Sequence, residues 1–90
     1  MTWRIEIDAS AAKELAKLDR PVARRILAFL RDRLSSLDDP RSLGAALQGS
    51  RFGEFRKYRV GDCRIIARIE DEQLRILVVR IGHRRQVYRG

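Results

Sequence analysis

The sequence has little of several things that often mark a function. Of its 90 residues one is a cysteine (Cys63), one a histidine (His83) and two are prolines (Pro21, Pro40). A lone cysteine excludes a disulfide framework and a cysteine-built zinc site. With one histidine as well, a closed zinc site made by the chain alone is excluded. No apolar run approaches the roughly 20 residues that span a bilayer, and Met1-Thr2-Trp3-Arg4-Ile5-Glu6 carries no signal-like apolar stretch. The expectation is a cytoplasmic protein with no membrane contact, no metal and no cofactor. A chain this short holds one modest core, so residues 1–90 are expected to form a single domain.

What the chain has in excess is positive charge. Twenty basic residues stand against twelve acidic ones, giving +8. Only Lys13, Lys17 and Lys57 are lysines, so seventeen are arginines. Arginine's planar fork stays charged and matches phosphate oxygens two at a time, so the partner is polyanionic: nucleic acid, a ribosome, an anionic membrane or an acidic protein. The 44% hydrophobic content is that of a folded chain rather than a disordered one. The charge is also uneven. Residues 1–48 carry nine basic and seven acidic side chains, a balance of +2, whereas residues 49–90 carry eleven and five, a balance of +6.

The first half reads as a strand and two helices. Trp3-Arg4-Ile5-Glu6-Ile7 alternates apolar and charged residues, the strand period. Asp8 or Ser10 can cap a helix over residues 9–18, with Ala12, Leu15, Ala16 and Leu18 as its stripe. Pro21 suits the first turn of a second helix, which carries Val22, Ile26, Leu30, Leu34 and Leu37 until Asp39-Pro40 stops it. The short connection predicts an antiparallel helix hairpin, with Arg24, Arg25, Arg31 and Arg33 on its solvated side. Residues 38–53 read mostly as loop. Strand-like runs follow at 54–60, 63–70 and 74–81, split by Gly61-Asp62 and Asp71-Glu72, so the second half is a meander. The fold class is α+β: a helix hairpin on one face of a small, twisted, mainly antiparallel four-stranded sheet, in the order β-α-α-β-β-β.

A two-residue turn at Gly61-Asp62 sets a register. Val60 then faces Cys63, Arg59 faces Arg64, Tyr58 faces Ile65 and Lys57 faces Ile66. Tyr58, Val60, Cys63, Ile65, Ala67 and Ile69 share the face that seats the helices, while Lys57, Arg59, Arg64 and Arg68 share the other. Arg59 directly across from Arg64 is repulsive by about 0.2–1 kcal/mol, and a phosphate between them relieves it. That register makes Tyr58 a core aromatic. Trp3, Phe29, Phe52 and Phe55 read as packing residues. Gly82-His83-Arg84-Arg85-Gln86-Val87-Tyr88-Arg89-Gly90 adds a basic tail, whose Arg85 and Arg89, with Arg68, are candidate phosphate contacts.

Four segments in this order resemble the RelE/ParE superfamily of toxins from bacterial toxin–antitoxin pairs, and its RelE-type members most. They are the N-terminal strand entering Ala11-Ala12-Lys13-Glu14-Leu15-Ala16-Lys17-Leu18, then Leu47-Gln48-Gly49-Ser50, then Tyr58-Arg59-Val60-Gly61-Asp62-Cys63-Arg64, and finally Gly82-His83-Arg84 with Val87-Tyr88. The resemblance implies two helices on a small antiparallel sheet, with the first strand paired to the meander. It implies a ribosome-dependent endoribonuclease that cuts messenger RNA in the A site. The site residues it implies are Lys57, Arg59, Arg64, Arg84 and Tyr88, with His83 beside them. Arginine keeps its proton to about pH 12, so a general base falls to Lys57, His83 or Tyr88. The implied partners are an acidic RelB-like antitoxin, the 70S ribosome with its mRNA, and operator DNA only in complex with the antitoxin. Members often carry an aromatic where Cys63 stands, and some ribonuclease members carry lysine where Arg59 stands. Two rivals remain: a ParE-type inhibitor of DNA gyrase with the same fold, and a non-catalytic basic domain that binds nucleic acid or the antitoxin.

Overall fold

The computed structural model describes residues 3–47 and 55–83. Strand β1 (Arg4–Ile7) leads into helix α1 (Ala9–Ala16) and helix α2 (Arg20–Ala28), which continues as a π-helical turn over Phe29–Leu34. A 3-10 turn at Pro40–Ser42 precedes the short strand β2 (Ala45–Ala46). Then come β3 (Phe55–Val60), β4 (Cys63–Glu70), a 3-10 turn at Asp71–Gln73, and β5 (Arg75–His83). The sheet has five strands in the order β1-β5-β4-β3-β2. Strands β2 to β5 form an antiparallel meander, and β1 closes the far side in parallel with β5.

The β3–β4 register matches the expectation in every pair: Val60 with Cys63, Arg59 with Arg64, Tyr58 with Ile65 and Lys57 with Ile66. Gly61 at the turn has φ +60°, while Asp62 has no positive φ. That is the pattern of a hairpin turn with glycine at the first central position, whose twist suits the flanking strands. Alternation then buries Tyr58, Val60, Cys63, Ile65, Ala67 and Ile69 with Ile76, Val78 and Ile81 of β5. Ala11, Ile26, Leu30 and Leu34 cover them from the helix side, and Trp3 completes the core. On the other face Lys57 and Arg64 are half-buried and Arg59 and Arg68 exposed among the described residues.

Four expectations need correction. The sheet has five strands rather than four, because Ala45–Ala46 inside the anticipated loop pairs with Arg56 and Lys57. Two alanines carry no strand period, so the pairing comes from the neighbouring strand rather than from local preference. The helices also form no simple hairpin. The principal neighbour of α1 is β5, because α1 has only eight residues and a single buried one, Ala11. Ala12 and Ala16, assigned to its stripe, are exposed. Finally, Asp8 occupies the N-cap position of α1 without a side-chain cap bond.

The π-helical turn has a cause legible in the apolar spacing. Val22, Ile26, Leu30 and Leu34 recur every four residues, and on a 3.6-residue helix such a row drifts about 40° per step. One wider turn, with the Ser35 N–H donating to Leu30 O at 3.0 Å, unwinds that drift. Leu30 and Leu34 both end fully buried. Beyond Ile7, β5 has no β1 residue beside it, and the Glu14 carboxylate of α1 accepts the Ile81 N–H at 3.0 Å instead. Among the described residues no helix is long and apolar enough to cross a membrane.

Candidate functional site

The open face of the sheet carries two groups of charges. At the β2–β3–β4 end, Lys57, Arg59 and Arg64 line one cavity of about 250 Å³ together with Gly44, Ala45 and Tyr58. Among the described residues, three cations and no carboxylate line it. The hairpin turn forces this convergence, because residues paired across it share a face. Arg59 is exposed, and its Nε donates to Gly61 O at 3.3 Å, which lays the guanidinium over the turn. Lys57 and Arg64 are half-buried. Three cations gathered on one cavity, with no carboxylate among its described lining, suit an anion with more than one oxygen.

At the other end the signs alternate. Arg4 Nε lies 2.9 Å from Glu6 Oε2, Arg75 Nη1 lies 3.2 Å from Glu6 Oε1, and Arg75 Nε donates to Glu70. Arg68 Nε stands 3.9 Å from Glu70 Oε2. The structure therefore separates Arg68 from the other cations of its face: it lies across from Phe55 and Leu77, beside an acid and outside the cavity. Arg75 holds the Glu70 carboxyl below its usual range through their hydrogen bond, against the opposing effect of desolvation.

His83 is the last residue of β5, opposite Cys63. Arg84, Arg85, Tyr88 and Arg89 lie outside the described residues, as do Gln48, Gly49, Ser50 and Phe52. Two other reactive groups are removed from the chemistry. Tyr58 is 2% exposed and donates to Pro40 O at 2.8 Å, and burial pushes its phenol above the ordinary tyrosine value. Its ring centroid lies 6.0 Å from that of Phe29, so it serves packing. The Cys63 thiol is buried, and burial followed by the nearby Asp62 charge raises its pKa, the opposite of an activated thiolate. Among the described residues no cluster of His, Cys, Asp and Glu is placed to hold a metal ion.

A larger cleft of about 650 Å³ lies between the α1–α2 connection and the β3–β4 turn. Its lining mixes Glu14, Asp19 and Asp62 with Lys17 and Arg25 over apolar Leu18, Val22 and Val60. Mixed signs make it a poorer seat for a phosphate than the smaller cavity.

A model of the ParE toxin of type II toxin–antitoxin systems, parDE, matches residues 5–88. The chain belongs to this toxin family. Toxin RelG of Mycobacterium tuberculosis is 28% identical over 89 residues, covering 99% of each chain. A chain of the RelBE2 toxin–antitoxin complex of the same organism matches with TM-score 0.81 and 25% identity over 93% of each chain. The isolated Escherichia coli RelE toxin shares the fold, with TM-score 0.70 and 23% identity over 97% of this chain and 92% of that one. The protein is thus a type II toxin of the RelE/ParE superfamily. Reading the sequence missed Gly44 and Ala45 of this toxin's cavity, which sit in the stretch assigned to loop. The available signal was Gly44 itself, a lone glycine between Leu43 and Ala45.

Proposed function

We propose that this toxin is a ribosome-dependent endoribonuclease that cleaves messenger RNA in the A site and so stops translation. The observation that carries the reading is the cavity in which Lys57, Arg59 and Arg64 converge with no carboxylate among its described lining. A structure that only had to fold would not set Arg59 opposite Arg64, since like charges across a strand pair repel. A scissile phosphate between them turns that cost into binding.

In the proposed reaction the substrate's 2′-oxygen attacks phosphorus and the bond to the 5′-oxygen breaks. The products are a 2′,3′-cyclic phosphate and a 5′-hydroxyl. The 2′-hydroxyl proton passes to a base, and an acid protonates the leaving 5′-oxygen. Arg59, Arg64 and Arg84 stabilise the extra charge of the phosphorane, which is commonly the largest catalytic contribution. Lys57, His83 and Tyr88 are the acid–base candidates. Arg85 and Arg89 add phosphate contacts along the RNA, whereas Arg68, beside Glu70 and outside the cavity, is left out of the site. The partners in this reading are the 70S ribosome, an acidic RelB-like antitoxin and, through that antitoxin, operator DNA. The RelBE2 relative is itself found as a toxin–antitoxin complex.

A second reading, inhibition of DNA gyrase, is favoured by one observation: the matching family model is that of ParE. Brief expression followed by primer extension on cellular messages, with gyrase supercoiling assayed in parallel, separates the two. Cleavage within codons of translated messages supports the ribonuclease. Intact messages with blocked supercoiling overturn it in favour of the gyrase inhibitor.

A further inference from the structure

The segment leading into β2 is bolted down at four places. Trp3 Nε1 donates to Asp38 O at 3.3 Å, and Tyr58 Oη donates to Pro40 O at 2.8 Å. Arg56 Nη2 donates to both Arg41 O at 2.9 Å and Leu43 O at 3.0 Å. The Arg41 guanidinium itself grips the Asp71 carboxylate with two bonds, 2.9 and 2.8 Å long. Asp71 belongs to the β4–β5 connection, thirty residues away in sequence. The chain then turns through Gly44 at φ +69°, so close to β3 that a Cβ there would lie 2.3 Å from Lys57 O. Gly44 and Ala45, arriving by this route, form the wall of the cavity that holds Lys57, Arg59 and Arg64.

The Arg41–Asp71 pair is poorly suited to a purely stabilising role. The two side chains are 34% and 63% exposed, and exposed pairs add little to stability. Its two-bond geometry, by contrast, fixes direction as well as distance. Neither residue lines the cavity. We propose that Arg41 and Asp71 are positioning residues: their ion pair holds the Gly44–Ala45 wall at a set distance from Lys57 and thereby sets how tightly the cavity holds an RNA phosphodiester. The binding half of this proposal rests on the reading of the cavity as an RNA site.

The sign of the effect makes the proposal testable. Asp71→Asn removes a negative charge from a chain of net charge +8, and charge alone then predicts tighter binding of a polyanion. Loss of positioning predicts the reverse. Glu72→Gln removes a charge from the exposed neighbouring residue without touching the pair, and so serves as the control. Arg41→Lys keeps the charge and removes the fork. The probe is a fluorescein-labelled single-stranded RNA with 2′-O-methyl riboses, which cannot be cleaved, followed by anisotropy. Amide NMR shifts of Gly44 and Ala45 and urea unfolding are recorded on the same samples.

Asp71→Asn and Arg41→Lys should weaken RNA binding about 3–10-fold and move the Gly44 and Ala45 amides, with little change in urea midpoint. Glu72→Gln should leave binding unchanged or tighten it, with those amides still. Binding of the Asp71→Asn variant as tight as that of Glu72→Gln overturns the proposal. So does weaker binding matched by a fall in urea midpoint with unmoved amides, the mark of a merely structural pair. If the parent protein fails to bind the RNA at all, the RNA reading falls separately. The amides then decide the wall: shifts in Asp71→Asn alone support its control by the pair, and no shifts overturn it.

Discussion

The two ends of the open sheet face are built from the same residue types and do opposite things with them. At the β1 end, Arg4, Arg75 and Arg68 are interleaved with Glu6 and Glu70, so each cation there has a carboxylate beside it. At the β2 end, Lys57, Arg59 and Arg64 converge on one cavity whose described lining holds no acid. Net charge cannot distinguish these two uses of arginine; placement does. A cation beside its own carboxylate has its interaction satisfied within the fold, whereas clustered cations carry repulsion that an external anion relieves.

The sharpest way to break this comparison is to truncate one cation at each end. Arg59→Ala or Arg64→Ala should each reduce RNA cleavage by about 10²–10³-fold, the usual cost of removing one donor to a developing charge, with the urea midpoint little changed. Arg75→Ala should leave cleavage within about twofold and show its effect in unfolding instead. Equal losses of cleavage at both ends would mean that the whole face is one nucleic-acid surface, and the distinction would fall.

Gly44→Ala tests the wall of the cationic end and ranks next in size. The new Cβ meets Lys57 O at 2.3 Å and the Tyr58 ring at 2.8 Å, at φ +69°. A side chain forced into that backbone region costs about 1–3 kcal/mol, so the urea midpoint should fall and cleavage with it. An unchanged midpoint would show that the segment is not pressed against β3. Tyr58→Phe meets no such clash and should cost no more than the backbone penalty alone, about 1–3 kcal/mol, by leaving the Pro40 carbonyl without its donor. It should leave the pH profile of cleavage unmoved, because the phenol is buried behind the site.

How much of this was legible in advance depends on the range of the interactions. The cluster of Lys57, Arg59 and Arg64 was readable because Gly61-Asp62 fixes the pairing, and side-chain alternation does the rest. Tyr58 followed as a core residue by the same parity. The wall did not follow. Ala45–Ala46 has no period to read, and the groups that hold it, Arg41 on Asp71 and Arg56 on the Arg41 and Leu43 carbonyls, are joined only by tertiary folding. The division of the face was equally hidden. Arg68 has the same alternation as Arg64, and only the arrival of β5 beside β4 brings Arg75 to Glu70 and makes that end ion-paired.

The smallest expected effect sharpens the comparison through pH. Glu70 has a folded-state pKa below its unfolded value, chiefly because Arg75 hydrogen-bonds to its carboxylate. Asp71 is lowered in the same direction by Arg41, with a small contribution because the pair is exposed. An acid whose folded pKa is depressed contributes stability that is present above its unfolded pKa, about 4.3 for Glu and 3.9 for Asp. That contribution is lost as pH falls through the lower folded value. The parent protein should therefore lose stability between pH 6 and pH 3, and Glu70→Gln should lose less over the same range, so that the gap between the two narrows on acidification. Arg59→Ala should descend in parallel with the parent, because no described carboxylate lines its cavity. Urea midpoints taken at half-unit steps of pH measure all three. A Glu70→Gln curve parallel to the parent would sink the claim that the β1 end balances its charges internally. An altered slope in Arg59→Ala would show a carboxylate coupled to the cationic end, and the division of the face into an ion-paired end and a cationic end would have to be redrawn.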